Sequence, residues 1–439
     1  MDFTKEIKYK DLVMFMTPLI LSAAFQQLYT VINTGVVSHY QSYEAVAVIG
    51  ACTAFTSLYN FAVGGMTSGF GFHIGKCIGA QENEKTQKSF WGSVYLVGII
   101  LLLGIILSIC INPLMEAAQI PLELQDRAAV YSCIVFIGGA WVGLKNILFA
   151  TIHNLGHVKF PAMTSVVGTV TNTVIMVFLV AVMKLDVYAS SLALMLNNML
   201  ICFAMIVYLW LKHRNSVRMQ LPSKIGKDTW LLLLENGLGK SSMMMLISIG
   251  ATFMQRSVNT LSIELIAADT YAENTLNVWV QLLAAFGTAA MIITSQNSEA
   301  IKGNVYKKTM KMLIVQSLCL SLLGIVFGYF GMPYAVRFLA GSEVKEMVLD
   351  NAILWFRIAS IGFIGLTFLL IGRNALQTMG DWKIMPVLGA LCMIWNMTCS
   401  IFVPTYGIKM IAFSYIVKWS TPGLLALFLL RKKLVSNYE

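Results

Sequence analysis

Charge is scarce in this chain. Asp, Glu, Lys and Arg make up only 12% of its 439 residues, about half the ~25% of an ordinary soluble domain, which excludes a water-soluble globule. Catalytic signatures are missing as well. There is no HExxH, no GxSxG and no Walker sequence, so zinc-protease, serine-hydrolase and direct ATP-driven chemistry are not expected. The run Gly69-Phe70-Gly71-Phe72-His73-Ile74-Gly75 is one residue too long for a dinucleotide GxGxxG and lies in an apolar stretch, where small residues serve close helix contact. The eight cysteines show no CxxC or Cys/His spacing, so they read as small core residues, with neither disulfide nor metal implied. A formal charge of +10 is spread over short loops instead of being gathered on one face, and nucleic acid is not an expected partner. The sequence predicts no enzyme and no cofactor.

What the chain does have is apolar length. Hydrophobic residues make up 57% of it and the mean hydropathy is +0.73. Residues 89–115, 160–183 and 312–336 carry no charge, and each run exceeds the ~20 residues a helix needs to cross ~30 Å of hydrocarbon. Apolar runs set against charged breaks predict twelve spans. Six lie near 12–36, 46–74, 89–111, 128–150, 161–183 and 188–211. The other six lie near 229–255, 266–295, 310–332, 351–372, 384–404 and 408–430. The opening MDFTKEIKYKD is charged and is not followed by a short apolar core with a small-residue cleavage site, so the first span is expected to be retained.

The two groups of six are copies. Gly156, Lys159 and Asn172 recur in the second half, with their mutual spacing unchanged, as Gly380, Lys383 and Asn396. Glu44-Ala45-Val46-Ala47 recurs at nearly the same offset as Glu264-Leu265-Ile266-Ala267. A constant offset of this kind marks an internal repeat. The expected organisation is an N-terminal six-helix lobe over 1–211, a hydrophilic linker over 212–228 and a C-terminal six-helix lobe over 229–439. Six spans per copy is even, so the copies enter the membrane in the same sense and form parallel repeats. Alternate loops leave only Arg127, Lys184, Arg256, Arg337, Lys345 and Lys409 on one side, while most other basic residues fall on the opposite one. By the positive-inside rule both termini are then cytoplasmic.

Ionisable residues inside spans need a partner or a water-filled cavity, because a central charge costs ~2.5 to 3.5 kcal/mol on insertion scales. Lys240 and Lys418 fall near mid-span, Glu235, Glu273 and Arg357 about a third of the way in, and Lys145 near a cytoplasmic end, where snorkelling is expected. Glu235 lies five positions before Lys240, about 140° round a helix, so the two do not pair. For Lys240, Arg357 and Lys418, ion pairs between helices compete with substrate contact. Glu273 is the leading candidate for exchanging a proton with a cation. In the first span Pro18 can kink the helix, and Gln27 and Asn33 are either interhelical hydrogen-bonding groups or substrate contacts. The 26 methionines suit an adaptable pocket as well as a lipid-facing surface.

The pattern resembles the multidrug and toxic compound extrusion (MATE) family over nearly the whole chain. Its first-helix proline, glutamine and Leu-Tyr-Asn-x-x-Asp-Thr segment are matched by Pro18, Gln26 or Gln27, and Leu28-Tyr29-Thr30-Val31-Ile32-Asn33-Thr34. Its Gly-Ala-x-x-x-x-Lys loop is matched by Gly79 to Lys85, and its twice-used Leu-Gly-Asp-x-Lys-x-Pro loop by Leu155 to Pro161 and Met379 to Pro386. The resemblance implies two six-helix lobes forming a V around a central cavity, and export of amphipathic, often cationic compounds against inward H⁺ or Na⁺. Several family carboxylates are replaced. Asn33 stands for a first-helix aspartate, Met176 follows Asn172 where the fifth helix carries a second one, and the tenth span holds Arg357 in place of an aspartate.

The expectation is therefore an all-α polytopic membrane protein with twelve transmembrane helices, monomeric, in the cytoplasmic (inner) membrane. It exports small molecules by H⁺ or Na⁺ antiport with alternating access, and Gln27, Asn33, Asn172, Lys240, Glu273 and Arg357 contact the substrate or coupling ion. The alternatives are a flippase for lipid-linked saccharides, which Lys240, Arg357 and Lys418 would suit, and a membrane protein that transports nothing.

Overall fold

The computed structural model describes residues 2–40, 43–117, 120, 122–212, 220–222, 224–258, 260–297, 303–340 and 346–436. Among them there are helices and no strands. In hydrocarbon every backbone N–H and C=O must be satisfied within its own segment, and a helix does this. The first half holds α1 (Tyr9–Tyr40), α2 (Tyr43–Gly79), α3 (Asn83–Ile109), the short α4 (Ile111–Ala117), α5 (Leu122–Asn154), α6 (Lys159–Val177) with a closing π-helical turn (Phe178–Val182), and α7 (Tyr188–Lys212). The second half repeats the order. It holds α8 (Lys227–Val258), α9 (Ile263–Asn297), α10 (Gly303–Phe330), the short α11 (Met332–Ala340), α12 (Glu346–Ser360), α13 (Phe363–Thr378), α14 (Ile384–Tyr406) and α15 (Ile408–Ser436).

Among the described residues eight helices are each long and apolar enough to cross a membrane, and α12 with α13 make a ninth across a 46° bend. Helices α1, α2 and α8, at 32, 37 and 32 residues, fill the remaining predicted positions. The chain is an all-α polytopic membrane protein built from two repeats of six. The predicted boundaries need three changes. Helices α4 and α11 are additional short elements after the third span of each repeat. The span predicted over 351–372 is two helices, and it runs on to Thr378, which places Arg373 inside α13 instead of in a loop. Pro18 does not interrupt α1.

The duplication is visible in the backbone. Gly156 and Gly380 both adopt positive φ, +82° and +92°, the left-handed conformation in which glycine alone escapes a Cβ penalty. Each closes its helix with the same pair of bonds. His157 N–H donates to Ile152 O and Gly156 N–H to His153 O, while Asp381 N–H donates to Leu376 O and Gly380 N–H to Gln377 O. This is the Schellman pattern, which satisfies carbonyls left over at a helix end. Outward faces repeat too. Leu102, Leu103 and Ile106 of α3 are exposed, as are Leu322, Leu323 and Val326 of α10, and such apolar faces suit lipid.

Two compact units divide the chain, one over 25–241 and the other over 2–24 with 242–439. Helices α1 and α8 contribute to both. In the first unit Gly65 and Gly69 of α2 let the backbone of α8 approach closely, since a Cβ on Gly69 would lie 2.2 Å from Asn236 O. In the second unit the fully buried Phe3 donates its N–H to Gln296 Oε1 at 2.9 Å and accepts from Asn297 Nδ2 at 3.2 Å. Its ring meets Phe15 edge-on at 4.8 Å.

Candidate functional site

The chemistry of the second unit gathers on α9, α12 and α15. Asp269 and Glu273 lie four residues apart on α9 and so share one face of it. Asp269 is only 5% exposed, and its Oδ1 is buried without a hydrogen-bond partner among the described residues. Glu273 accepts a hydrogen bond from the Tyr415 hydroxyl on α15 at 3.0 Å. Three residues on, Lys418 places its Nζ 3.1 Å from the centre of the Tyr415 ring and 5.8 Å from that of Trp419. Trp355 of α12 meets Tyr415 edge-on at 5.0 Å, and so does Trp419, also at 5.0 Å. The Trp355 Nε1 is also buried without a hydrogen-bond partner among the described residues, although its indole lies beside Asp269.

Charge balances this cluster only in part. Asp269 feels the repulsion of Glu273 and the attraction of Lys418, and Lys418 is drawn to both carboxylates, to Glu273 more than to Asp269. Two carboxylates and one ammonium leave one net negative charge when all are ionised. That is a demanding arrangement inside a bilayer, where unbalanced charge is costly. It can be neutralised by a single proton or a single monovalent cation.

The break between α12 and α13 lies against this site. A Cβ on Gly362 would sit 2.7 Å from Tyr415 O, and one on Gly365 would sit 2.5 Å from Ser420 Cα. Phe363, the first residue of α13, stacks on Trp419 at 6.2 Å. The bent helix thus presses on the stretch of α15 that carries Tyr415, Lys418 and Trp419.

Of the residues singled out from sequence, Glu273 and Lys418 come together here. Arg357 does not join them. Its Nε donates to Gly328 O at 3.1 Å and its guanidinium lies 4.8 Å over the Tyr329 ring, so it caps the C-terminal end of α10, where a cation also suits the helix dipole. Lys240 belongs to the first unit, 3% exposed on α8, with its Nζ 5.5 Å from the Phe72 ring. Asn172 of α6 is 1% exposed, and its Oδ1 lacks a partner among the described residues, as does that of its repeat counterpart Asn396. One turn before Asn172, the Thr169 hydroxyl donates to Phe25 O at 3.3 Å. Gln27 is half-buried on α1, and the side chain of Asn33 lies outside the described residues. Lys145, expected to snorkel, instead donates to Asn198 Oδ1 of α7 at 2.9 Å.

Asp269 is the residue that sequence reasoning missed. Setting the start of its span at 266 made it a charge at the membrane edge. The helix starts at Ile263, which puts Asp269 nearly two turns inside. The available signal was the pair Asp269 and Glu273 at helical spacing in an otherwise uncharged stretch. A separate groove of about 760 Å³, lined by Leu376, Trp382, Lys383, Leu429, Lys432 and Lys433 among others, shares no lining residue with the cluster.

Comparison with known proteins accords with this architecture. A curated relative, the probable multidrug resistance protein YoeA of Bacillus subtilis, is 26% identical over 309 residues, covering 67% of this chain and 65% of the relative's own length. The fold matches a MOP superfamily transporter from Pyrococcus furiosus, described as having a binding pocket of reverse polarity, with a TM-score of 0.86 at 16% identity over 100% of this chain and 98% of that one. It also matches the outward-facing conformation of a multidrug resistance MATE family transporter, with a TM-score of 0.87 at 16% identity and the same coverage. The MatE family model matches residues 18–178 and again 241–402, once in each repeat, and the chain belongs to the MatE family.

Proposed function

We propose that this protein is a secondary exporter of amphipathic, cationic small molecules, working by antiport with H⁺ or Na⁺ and alternating access. It would work in the cytoplasmic membrane with both termini on the cytoplasmic side, as the placement of its basic residues favours. The observation that carries the proposal is the buried Asp269, whose Oδ1 has no partner among the described residues, beside Glu273 and Lys418. One proton, one Na⁺ or one organic cation neutralises the surplus negative charge there, and two at once do not. That mutual exclusion is what exchange requires. It also answers the absence of the family's usual carboxylates, because the acidic function has moved to α9. The flippase alternative draws on Lys240, Arg357 and Lys418, but Arg357 is committed to α10 carbonyls and Lys418 to an acidic, aromatic setting.

The test is release of a fluorescent organic cation from proteoliposomes under an imposed H⁺ or Na⁺ gradient. Export driven by one gradient and collapsed by its dissipation is expected. Absence of movement under either gradient removes the exporter reading.

A further inference from the structure

The cluster on α9 and α15 holds its own ammonium in an unusual place. Lys418 does not form a contact ion pair with either carboxylate among the described residues. Its Nζ rests 3.1 Å over the Tyr415 ring, on the electron-rich face, where cations are attracted. Trp355 and Trp419 both meet that ring at 5.0 Å, and Glu273 fixes it by accepting a hydrogen bond from the Tyr415 hydroxyl at 3.0 Å. An aromatic ring in contact with two indoles, with a carboxylate on its hydroxyl, is the chemistry that recognises quaternary ammonium groups.

We propose that the Tyr415 face is the seat for the cationic head of the substrate, and that Lys418 occupies this seat as a tethered stand-in when substrate is absent. The inference rests on the exporter reading for the class of ligand and deepens it by naming the seat. When an organic cation arrives, the Lys418 ammonium moves from the ring to Asp269, whose buried Oδ1 has no partner among the described residues. The proton or sodium ion that had balanced the carboxylates is released, and two ammonium charges then face two carboxylates. The lysine is thus a built-in competitor that holds affinity down. It also keeps the aromatic face from standing unoccupied in the bilayer interior. The groups facing Lys418 on neighbouring elements are Glu273 and Asp269 of α9, and Cys392 and Cys399 of α14.

The experiment is calorimetric titration of the purified full-length protein in nanodiscs with choline, and with its uncharged carbon isostere as control. Lys418→Met is expected to bind choline about tenfold more tightly than the parent, a gain within the range of one desolvated cation–π contact. Lys418→Arg should stay near the parent, adding Glu273→Gln to Lys418→Met should erase the gain, and the isostere should bind none of them. An unchanged or weakened affinity in Lys418→Met, or equal binding of the isostere, overturns the proposal. If Lys418→Met cannot be purified folded, Trp419→Ala in the parent decides, with weaker choline binding expected and no weakening overturning it. Absence of gradient-driven export by the parent protein, with the affinity gain of Lys418→Met intact, would remove the exporter reading and leave the seat standing, whereas export by the parent with no gain in Lys418→Met would remove the seat alone.

Discussion

The two repeats share a fold and differ in chemistry. Where α9 carries Asp269 and Glu273, the equivalent positions of the first repeat hold Ile49 and Thr53, and where α15 carries Lys418 the first repeat, at the offset that relates Asn172 to Asn396, has Leu194. Where α5 is one continuous helix of 33 residues, its counterpart is α12 and α13 joined across a 46° bend. Six apolar helices and a glycine turn are enough to make the fold, and both halves have them. The charges and the break occur together in the second half alone. The bend brings Trp355 and Phe363 onto the stretch of α15 that carries the lysine.

The sharpest way to break this comparison is to remove the asymmetry in charge. Asp269→Asn and Glu273→Gln should each lower gradient-driven efflux by about tenfold or more, the scale of one coupling interaction. Thr53→Val at the matching place in the first repeat should change it less than about twofold. Efflux rates from proteoliposomes decide, and equal effects in both repeats would show that the carboxylates are not where exchange occurs.

A smaller effect tests the bend. Gly362→Ala pushes a Cβ to 2.7 Å from Tyr415 O and should cost about 1 to 3 kcal/mol, as overpacked sites do. Its repeat counterpart Gly138 has Met195 Cβ as its nearest neighbour, at 3.6 Å, so Gly138→Ala should be neutral or gain up to about 1 kcal/mol from helix propensity. Thermal unfolding of the two purified variants measures the difference. The smallest effect should be symmetrical. Gly156→Ala and Gly380→Ala place a Cβ at φ of +82° and +92° and should each cost roughly 1 to 2 kcal/mol, equally in the two halves and with little change in efflux.

The sequence made legible what depends on local chemistry. Twelve spans, their duplication and the paired glycine turns follow from apolar length and from φ values that favour glycine. The break after Ser360 did not show, because Gly362 is forced by Tyr415 O, a carbonyl two helices further along the chain, and its surroundings read as an ordinary apolar run. Glu273 and Lys418 stood out by depth. Asp269 was hidden by a helix start set three residues late, a small error that shifts a side chain by about one turn of the helix. Arg357 shows the converse: its depth was evident, but depth alone does not reveal that carbonyls at the end of α10 engage its guanidinium.

The docking of Phe3 bears on how the chain matures during synthesis. Everything the first unit needs is available once Ser241 has been added, whereas the second unit joins residues 2–24 to 242–439, which are made much later. Phe3 must wait for Gln296, 293 positions downstream, before its backbone N–H finds its acceptor. A change that keeps Phe3 from docking would therefore burden the half that carries the ionic chemistry and spare the other.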